Sequence, residues 1–98
     1  MTLAQKKPEK SALAATARQL IRAGRFVPLA TQEAKSAAPF VSLAQTACLM
    51  DAVPLLLISR LAAHTRHIEA NPEISLLFET PGAEGAERMN LARVSVQG

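Results

Sequence analysis

The chain has 98 residues, a formal net charge of +3 and a single cysteine. That length allows one small domain, near the size where burial on folding only modestly exceeds conformational entropy. There is no Trp or Tyr and only Phe26, Phe40 and Phe78, so the core must be assembled from Leu, Ile, Val and Ala.

The lone Cys48 excludes an intramolecular disulfide and any thiolate zinc cluster. No stretch approaches the roughly 18–20 apolar residues that span a bilayer, and no apolar segment follows the N-terminal lysines as in a signal peptide. A soluble, cytoplasmic protein is expected. Charge is uneven: residues 1–25 carry Lys6, Lys7, Lys10, Arg18, Arg22 and Arg25 against the single acid Glu9. No aromatic residue interleaves these cations to stack on bases, which argues against nucleic acid as a partner.

Residues 1–7 lack periodicity and read as a flexible lead to one domain over 8–98. From about Pro8 to Ala23, Leu13, Ala17, Leu20 and Ile21 recur at helical spacing, with Gly24 placed as a C-terminal cap. Arg18, Arg22 and Arg25 line the opposite, solvated face. Phe26 to Thr31 reads as a short strand, and Pro28, which cannot donate to a ladder, suggests an edge or a bulge. Pro39 to Ala47 alternates weakly, with Phe40, Ser42, Ala44 and Thr46 on one face and Val41, Leu43, Gln45 and Ala47 on the other. Neither set is strongly polar, so this strand is expected inside a barrel or an interface.

Val53 to Ile58 is a continuous apolar run of strand length, which predicts a central strand buried on both faces and paired with its predecessor as a hairpin. Ser59 has the chemistry of a helix N-cap, and Leu61, Thr65 and Ile68 form a stripe ending at Asn71-Pro72. Glu73 to Phe78 is a further strand, Thr80 to Glu87 a loop with Pro81, Gly82 and Gly85, and about Met89 to Gln97 a last strand. Helix, three strands, helix and two strands indicate an α+β, mainly β, barrel or sandwich with two short helices rather than a doubly wound parallel sheet.

The segment Ile58 to Arg66 is the leading site candidate, because a strand delivers the chain into a helix start whose unpaired N–H groups attract anions. Arg60, His64 and His67 fall at helical steps on one face, with Ser59 and Thr65 adding hydroxyls; together they suit a phosphate, although a capped surface helix with ordinary basic residues would show the same pattern. His64 and His67 lie one turn apart, but no further ligand clusters with them and no metal is expected. Nothing near Cys48 in the sequence activates it as a nucleophile, so a small apolar role is the commoner one.

Several segments together resemble the flavin-binding split-barrel family typified by pyridoxamine 5'-phosphate oxidase, especially its haem-utilisation branch. The most specific run is Leu55-Leu56-Leu57-Ile58-Ser59-Arg60-Leu61-Ala62-Ala63-His64-Thr65-Arg66-His67-Ile68, followed by Asn71-Pro72 and Ser75-Leu76-Leu77-Phe78. Ala17 to Arg22 with Arg25-Phe26 and Leu29-Ala30-Thr31, Ala38 to Leu43, and Ala92 to Gly98 fit the family's first helix and strand, second strand and a later strand. The resemblance implies an FMN-binding split β-barrel, here incomplete after Gly98, acting as a homodimeric oxidoreductase. It implies that FMN phosphate is held by Ser42, Ser59, His64 and Thr65, with Arg60 or Arg66 as cationic partners. A haem-binding or haem-degrading protein is the alternative it implies, with His64 and His67 kept to phosphate or surface roles; a non-catalytic remnant is the third. The oxidase proper has arginine where Ser42 stands and lysine where His64 stands.

Overall fold

A computed structural model describes residues 9–98; the expected lead over 1–7 and the helix start at Pro8 lie outside the described residues. The elements run α1 (Lys10–Ala23), β1 (Phe26–Gln32), β2 (Pro39–Cys48), β3 (Pro54–Leu57), α2 (Ala63–Ala70), β4 (Ser75–Glu79), a 3₁₀ turn (Gly85–Met89) and β5 (Arg93–Gln97). This is the expected order of helices and strands. The strands form one open antiparallel sheet in the order β3-β2-β1-β4-β5.

Alternation along each strand puts one set of side chains under the helices and the other on the open face. Leu20 of α1 meets Val27 and Leu29 of β1, Ala44 of β2, and Leu76 and Phe78 of β4 in the core, with Ile21, Leu56, Ile68, Ile74, Val94 and Val96 packed around them. Leu29 and Phe78 are fully buried. Arg18, Arg22 and Arg25 are exposed as expected, and the Arg22 guanidinium donates to the Met50 carbonyl at 2.8 Å.

Two expectations need correction. Pro28 does not mark an edge, because β1 is the central strand. Its β4 ladder is confined to Leu29↔Leu76 and Ala30↔Ser75, so it ends beside the proline that has no N–H to give, whereas β2 pairs along the whole of β1. The apolar run at Val53–Ile58 is not a central strand: β3 pairs only with β2, lies at the edge of the sheet, and leaves Leu55 42% and Leu57 55% exposed. Its continuous hydrophobicity conceals a two-sided strand of which only one face is covered. The hairpin pairing with β2 is as expected, its turn closed by Leu49 N–H to the Val53 carbonyl and Ala52 N–H to the Leu49 carbonyl, both at 2.9 Å.

Gly24 caps α1 as expected, in an extended conformation with φ −68°, its N–H donating to the Leu20 carbonyl at 3.1 Å and the Ile21 carbonyl at 3.3 Å. Glycine is required there for space: a Cβ would fall 2.6 Å from Cε1 of the buried Phe78 and closer still to Cδ1. After β4, the expected loop contains the 3₁₀ turn, and β5 starts later than the sequence suggested. Arg88 makes a two-pronged ion pair with Glu79, with Nε to Oε1 at 2.6 Å, and Arg93 donates to the Met89 carbonyl at 2.9 Å, so the turn is fastened to the end of β4.

Gly24→Ala is expected to destabilise the fold by about 1–3 kcal/mol through overpacking against Phe78, measured as a loss in denaturant midpoint; an unchanged midpoint would contradict the steric role. At Glu79, the hydrogen bond from Arg88, opposed by desolvation and reinforced by the charges of Arg88 and Arg93, holds the carboxyl below its ordinary value of 4.5. A depressed carboxylate stabilises above its unfolded value and loses that contribution as pH falls through its folded value. Amides 85–89 should therefore be less protected from exchange in Glu79→Gln than in wild type at neutral pH, the difference closing at acid pH. Equal protection at pH 7 would show that the pair does not hold the turn.

Candidate functional site

The chain leaves β3 at Leu57 and turns through Ser59–Ala62 before α2 begins at Ala63. Ser59 is therefore not the helix N-cap. Its hydroxyl accepts the Leu61 N–H at 3.1 Å, its carbonyl accepts the Ala62 N–H at 3.2 Å, and the Thr65 hydroxyl donates to that same carbonyl. Ser59 and Thr65 thus close a turn ahead of the helix, the local side-chain bonding that competes with helix in Ser and Thr. Leu61 falls in this turn with 87% of its surface exposed, outside the stripe expected of it. Arg60 is likewise outside the helix and shares no helical face with His64 or His67.

The helix start itself is bare. Ala62 occupies the N-cap and provides no side-chain cap, and no acidic residue lies in the first turn. Arg60 and Arg66 are exposed, and the one ion pair among the described residues, Glu79–Arg88, involves neither. Free N–H groups at a helix start, with exposed arginines at positions 60 and 66, are the chemistry that suits an anionic oxygen.

The two histidines face elsewhere. His64 Nδ1 lies 2.9 Å from the Ser42 hydroxyl of β2, and His67 Nδ1 lies 2.9 Å from the Thr31 hydroxyl of β1. His67 is 7% exposed and stacks edge-on against Phe40 with ring centroids 4.8 Å apart, which corrects its assignment to a phosphate or surface role. His64 Nε2 is enclosed and has no hydrogen-bond partner. In register, Ser42 sits opposite Leu29 and Phe40 opposite Thr31. The two histidines, a helical step of three apart, therefore span neighbouring positions of one hairpin. Asn71, just past α2, adds a side-chain bond to Gln32 at the end of β1.

The structure thus brings together Ser42 with His64, and Ser59 with Thr65, and leaves Arg60 and Arg66 at the surface flanking the helix start. Thr31, Phe40, Gln32 and Asn71, which position α2, were not singled out from sequence. The Thr31–His67 pair spans 36 residues, and the only signal available was that β1 and β2 carry hydroxyls on the face that the helices cover.

A separate concavity lies elsewhere. An open groove of about 580 Å³ at the end of the sheet is lined by Gln32, Pro39, Glu73, Ser75 and Gln97 among others, and it shares no residue with the β3–α2 turn. Its one ionisable lining side chain is acidic, so the anion-attracting chemistry stays at the turn. Among the described residues no cluster of His, Cys, Asp and Glu could hold a metal ion, and no helix is long and apolar enough to cross a membrane.

One solved chain is 34% identical over 94% of this chain and 61% of its own, with a TM-score of 0.84. The heme binding protein from Mycobacterium smegmatis is 27% identical over 95% of this chain and 36% of its own, with a TM-score of 0.77. HutZ, the heme storage protein from Vibrio cholerae, is 24% identical over 82% of this chain and 55% of its own, with a TM-score of 0.65, a likeness of fold. The chain thus spans between about a third and three fifths of the length of these proteins. No curated protein matches it. Residues 13–98 match the family model of pyridoxamine 5'-phosphate oxidase, which accounts for the open antiparallel sheet and its two helices, and the chain belongs to that family.

Proposed function

We propose that the protein is an FMN-binding domain of oxidoreductase type, with the flavin phosphate held where the chain turns from Ser59 to Thr65 into α2. The observation that carries this reading is the uncapped start of α2, free of acids in its first turn and flanked by the exposed Arg60 and Arg66. Membership of the pyridoxamine 5'-phosphate oxidase family supports a flavin as the phosphate-bearing ligand.

The six residues divide by task. Ser59, Arg60 and Arg66 would meet the phosphate, Arg60 and Arg66 as charge-assisted donors. Thr65 fixes the turn through the Ser59 carbonyl, and the Ser42–His64 bond fixes where the helix start lies over β2. Bound FMN would supply the redox chemistry, and the protein would contribute position and a positive local potential. The protein would work as a homodimer in the cytoplasm, without nucleic acid or membrane partners.

Haem binding is the second reading, favoured by the likeness to the Mycobacterium smegmatis heme binding protein. Both histidines bond to sheet hydroxyls through Nδ1, which leaves Nε2 as the nitrogen that haem iron would take; that of His64 is enclosed and has no hydrogen-bond partner.

Titrating the apoprotein with FMN and with riboflavin, followed by flavin fluorescence, tests the assignment because the ligands differ only by the phosphate. Wild type should prefer FMN. Arg60→Ala should lower FMN affinity about ten- to a hundredfold, the worth of one charge-assisted hydrogen bond, with riboflavin affinity unchanged. His64→Ala, which removes only a positioning contact, should cost less. Equal wild-type affinity for the two flavins would sink the phosphate site, and a Soret band on haem titration without flavin binding would favour haem.

A further inference from the structure

The C-terminal end of α1 and the turn between β2 and β3 are tied together. The Arg22 guanidinium donates to the Met50 carbonyl at 2.8 Å, the Thr46 N–H to the Arg25 carbonyl at 2.7 Å, and the Thr46 hydroxyl to the Gly24 carbonyl at 3.3 Å. Arg18 stands one helical turn behind Arg22 on the same face. All three arginines are exposed, and none is in an ion pair among the described residues. From Lys10 to Val53 the chain has only two acids, Glu33 and Asp51, and Glu33 lies in the β1–β2 loop at the other end of β2.

The turn beside these cations is apolar and fixed in shape. Met50 is 95% exposed, with Leu49 48% and Val53 46% exposed near it. Ala52 is buried and takes φ 66°, the left-handed conformation with which short hairpin loops are closed. Asp51 Oδ1 accepts the Val53 N–H at 3.3 Å. Presenting Met50 on a turn that is already held leaves little ordering cost for a partner to meet.

We propose that the β2–β3 turn and the arginine face of α1 form one docking surface for an acidic protein partner. Met50, with Leu49 and Val53, enters an apolar recess of that partner, and Arg18, Arg22 and Arg25 pair with its carboxylates. Met and Arg are the residue types enriched in such interfaces, as an apolar centre and a charged surround. The excess of unpaired cations selects an acidic surface. An anionic lipid surface fits less well, because the Asp51 carboxylate sits beside Met50, where it meets like charge and cannot enter hydrocarbon cheaply. Nucleic acid lacks stacking residues here, and a second copy docked face to face would set arginines against arginines.

The test is fluorescence anisotropy of a labelled helical peptide with Glu on one face and Leu on the other, titrated with the full chain, with circular dichroism as a check of fold. Wild type should bind it, should lose affinity as salt is added, and should not bind the same peptide with Lys for Glu. Arg18→Glu and Arg25→Glu, whose side chains make no bond among the described residues, should each lower affinity about tenfold or more. Met50→Ser should cost about tenfold. Lys35→Glu, the same charge change in the β1–β2 loop, should leave binding as it was. No binding of the acidic peptide, or an equal loss in Lys35→Glu, would overturn the surface. So would stronger binding to vesicles of phosphatidylserine and phosphatidylcholine or to a single-stranded oligonucleotide, or a dimer that Arg25→Glu dissociates, each of which assigns the face to another occupant.

Discussion

The fold depends on a short seam. The β1–β2–β3 meander and the β4–β5 hairpin meet only where Leu29 pairs with Leu76 and Ala30 with Ser75. Two register positions contribute few backbone hydrogen bonds, each worth about 0.5–1.5 kcal/mol net, so the seam is closed mainly from above. There the two largest fully buried side chains, Leu29 and Phe78, lie on opposite sides of it, with Leu20 of α1 packed over both halves. Gly24 lets α1 come close enough to Phe78 for this to happen. Pro28 and Gly24 are thus parts of one constraint: the proline limits the ladder, and the glycine lets a side-chain core replace it.

α2 is seated differently. It buries Thr65 and His67 in place of a leucine stripe, and its polar attachments to the sheet include two imidazole–hydroxyl bonds beside the packing of Ile68. Hydrogen bonds fix direction where apolar contacts fix only proximity, so the helix start is held at a set place above β2. That placement matters for an anion site, whose attraction falls off within the first turn. The same bonds hold His64 and His67 to the sheet, leaving cationic chemistry at the turn to Arg60 and Arg66. In the phosphate site proposed above, the imidazoles would position the helix start and the guanidinium groups would meet the anion.

Order, type and approximate extent of the elements were legible from apolar periodicity, and so were the β2–β3 hairpin and the solvated arginine face of α1. What was not legible depended on partners remote in sequence. The run at Val53–Ile58 is equally apolar at every position, so nothing local distinguishes a central strand from an edge strand with one bare face. Ser59 ahead of a helical stripe reads as an N-cap by chemistry, and only the Thr65 bond to its carbonyl delays the helix to Ala63. The pairing of Arg60, His64 and His67 on one face assumed that helix had already begun at Arg60. Ser42 was named by resemblance, and its bond to His64 gives it a physical role that β2 alone could not disclose.

The two faces of the sheet divide the chemistry of the chain. The helix-covered face holds the polar groups that need partners, including Thr31, Ser42 and Thr46, each hydrogen-bonded there. The outward face of β1–β3 holds Val41, Leu43, Leu55 and Leu57, which stay largely exposed among the described residues. Burying a hydroxyl without a bond costs about 1–3 kcal/mol, while an exposed leucine forgoes about 1.5–3 kcal/mol of burial. A single small domain cannot satisfy both with one core, so this sheet spends its helices on the face with polar groups. The uncharged face of β1–β3 is left in solvent.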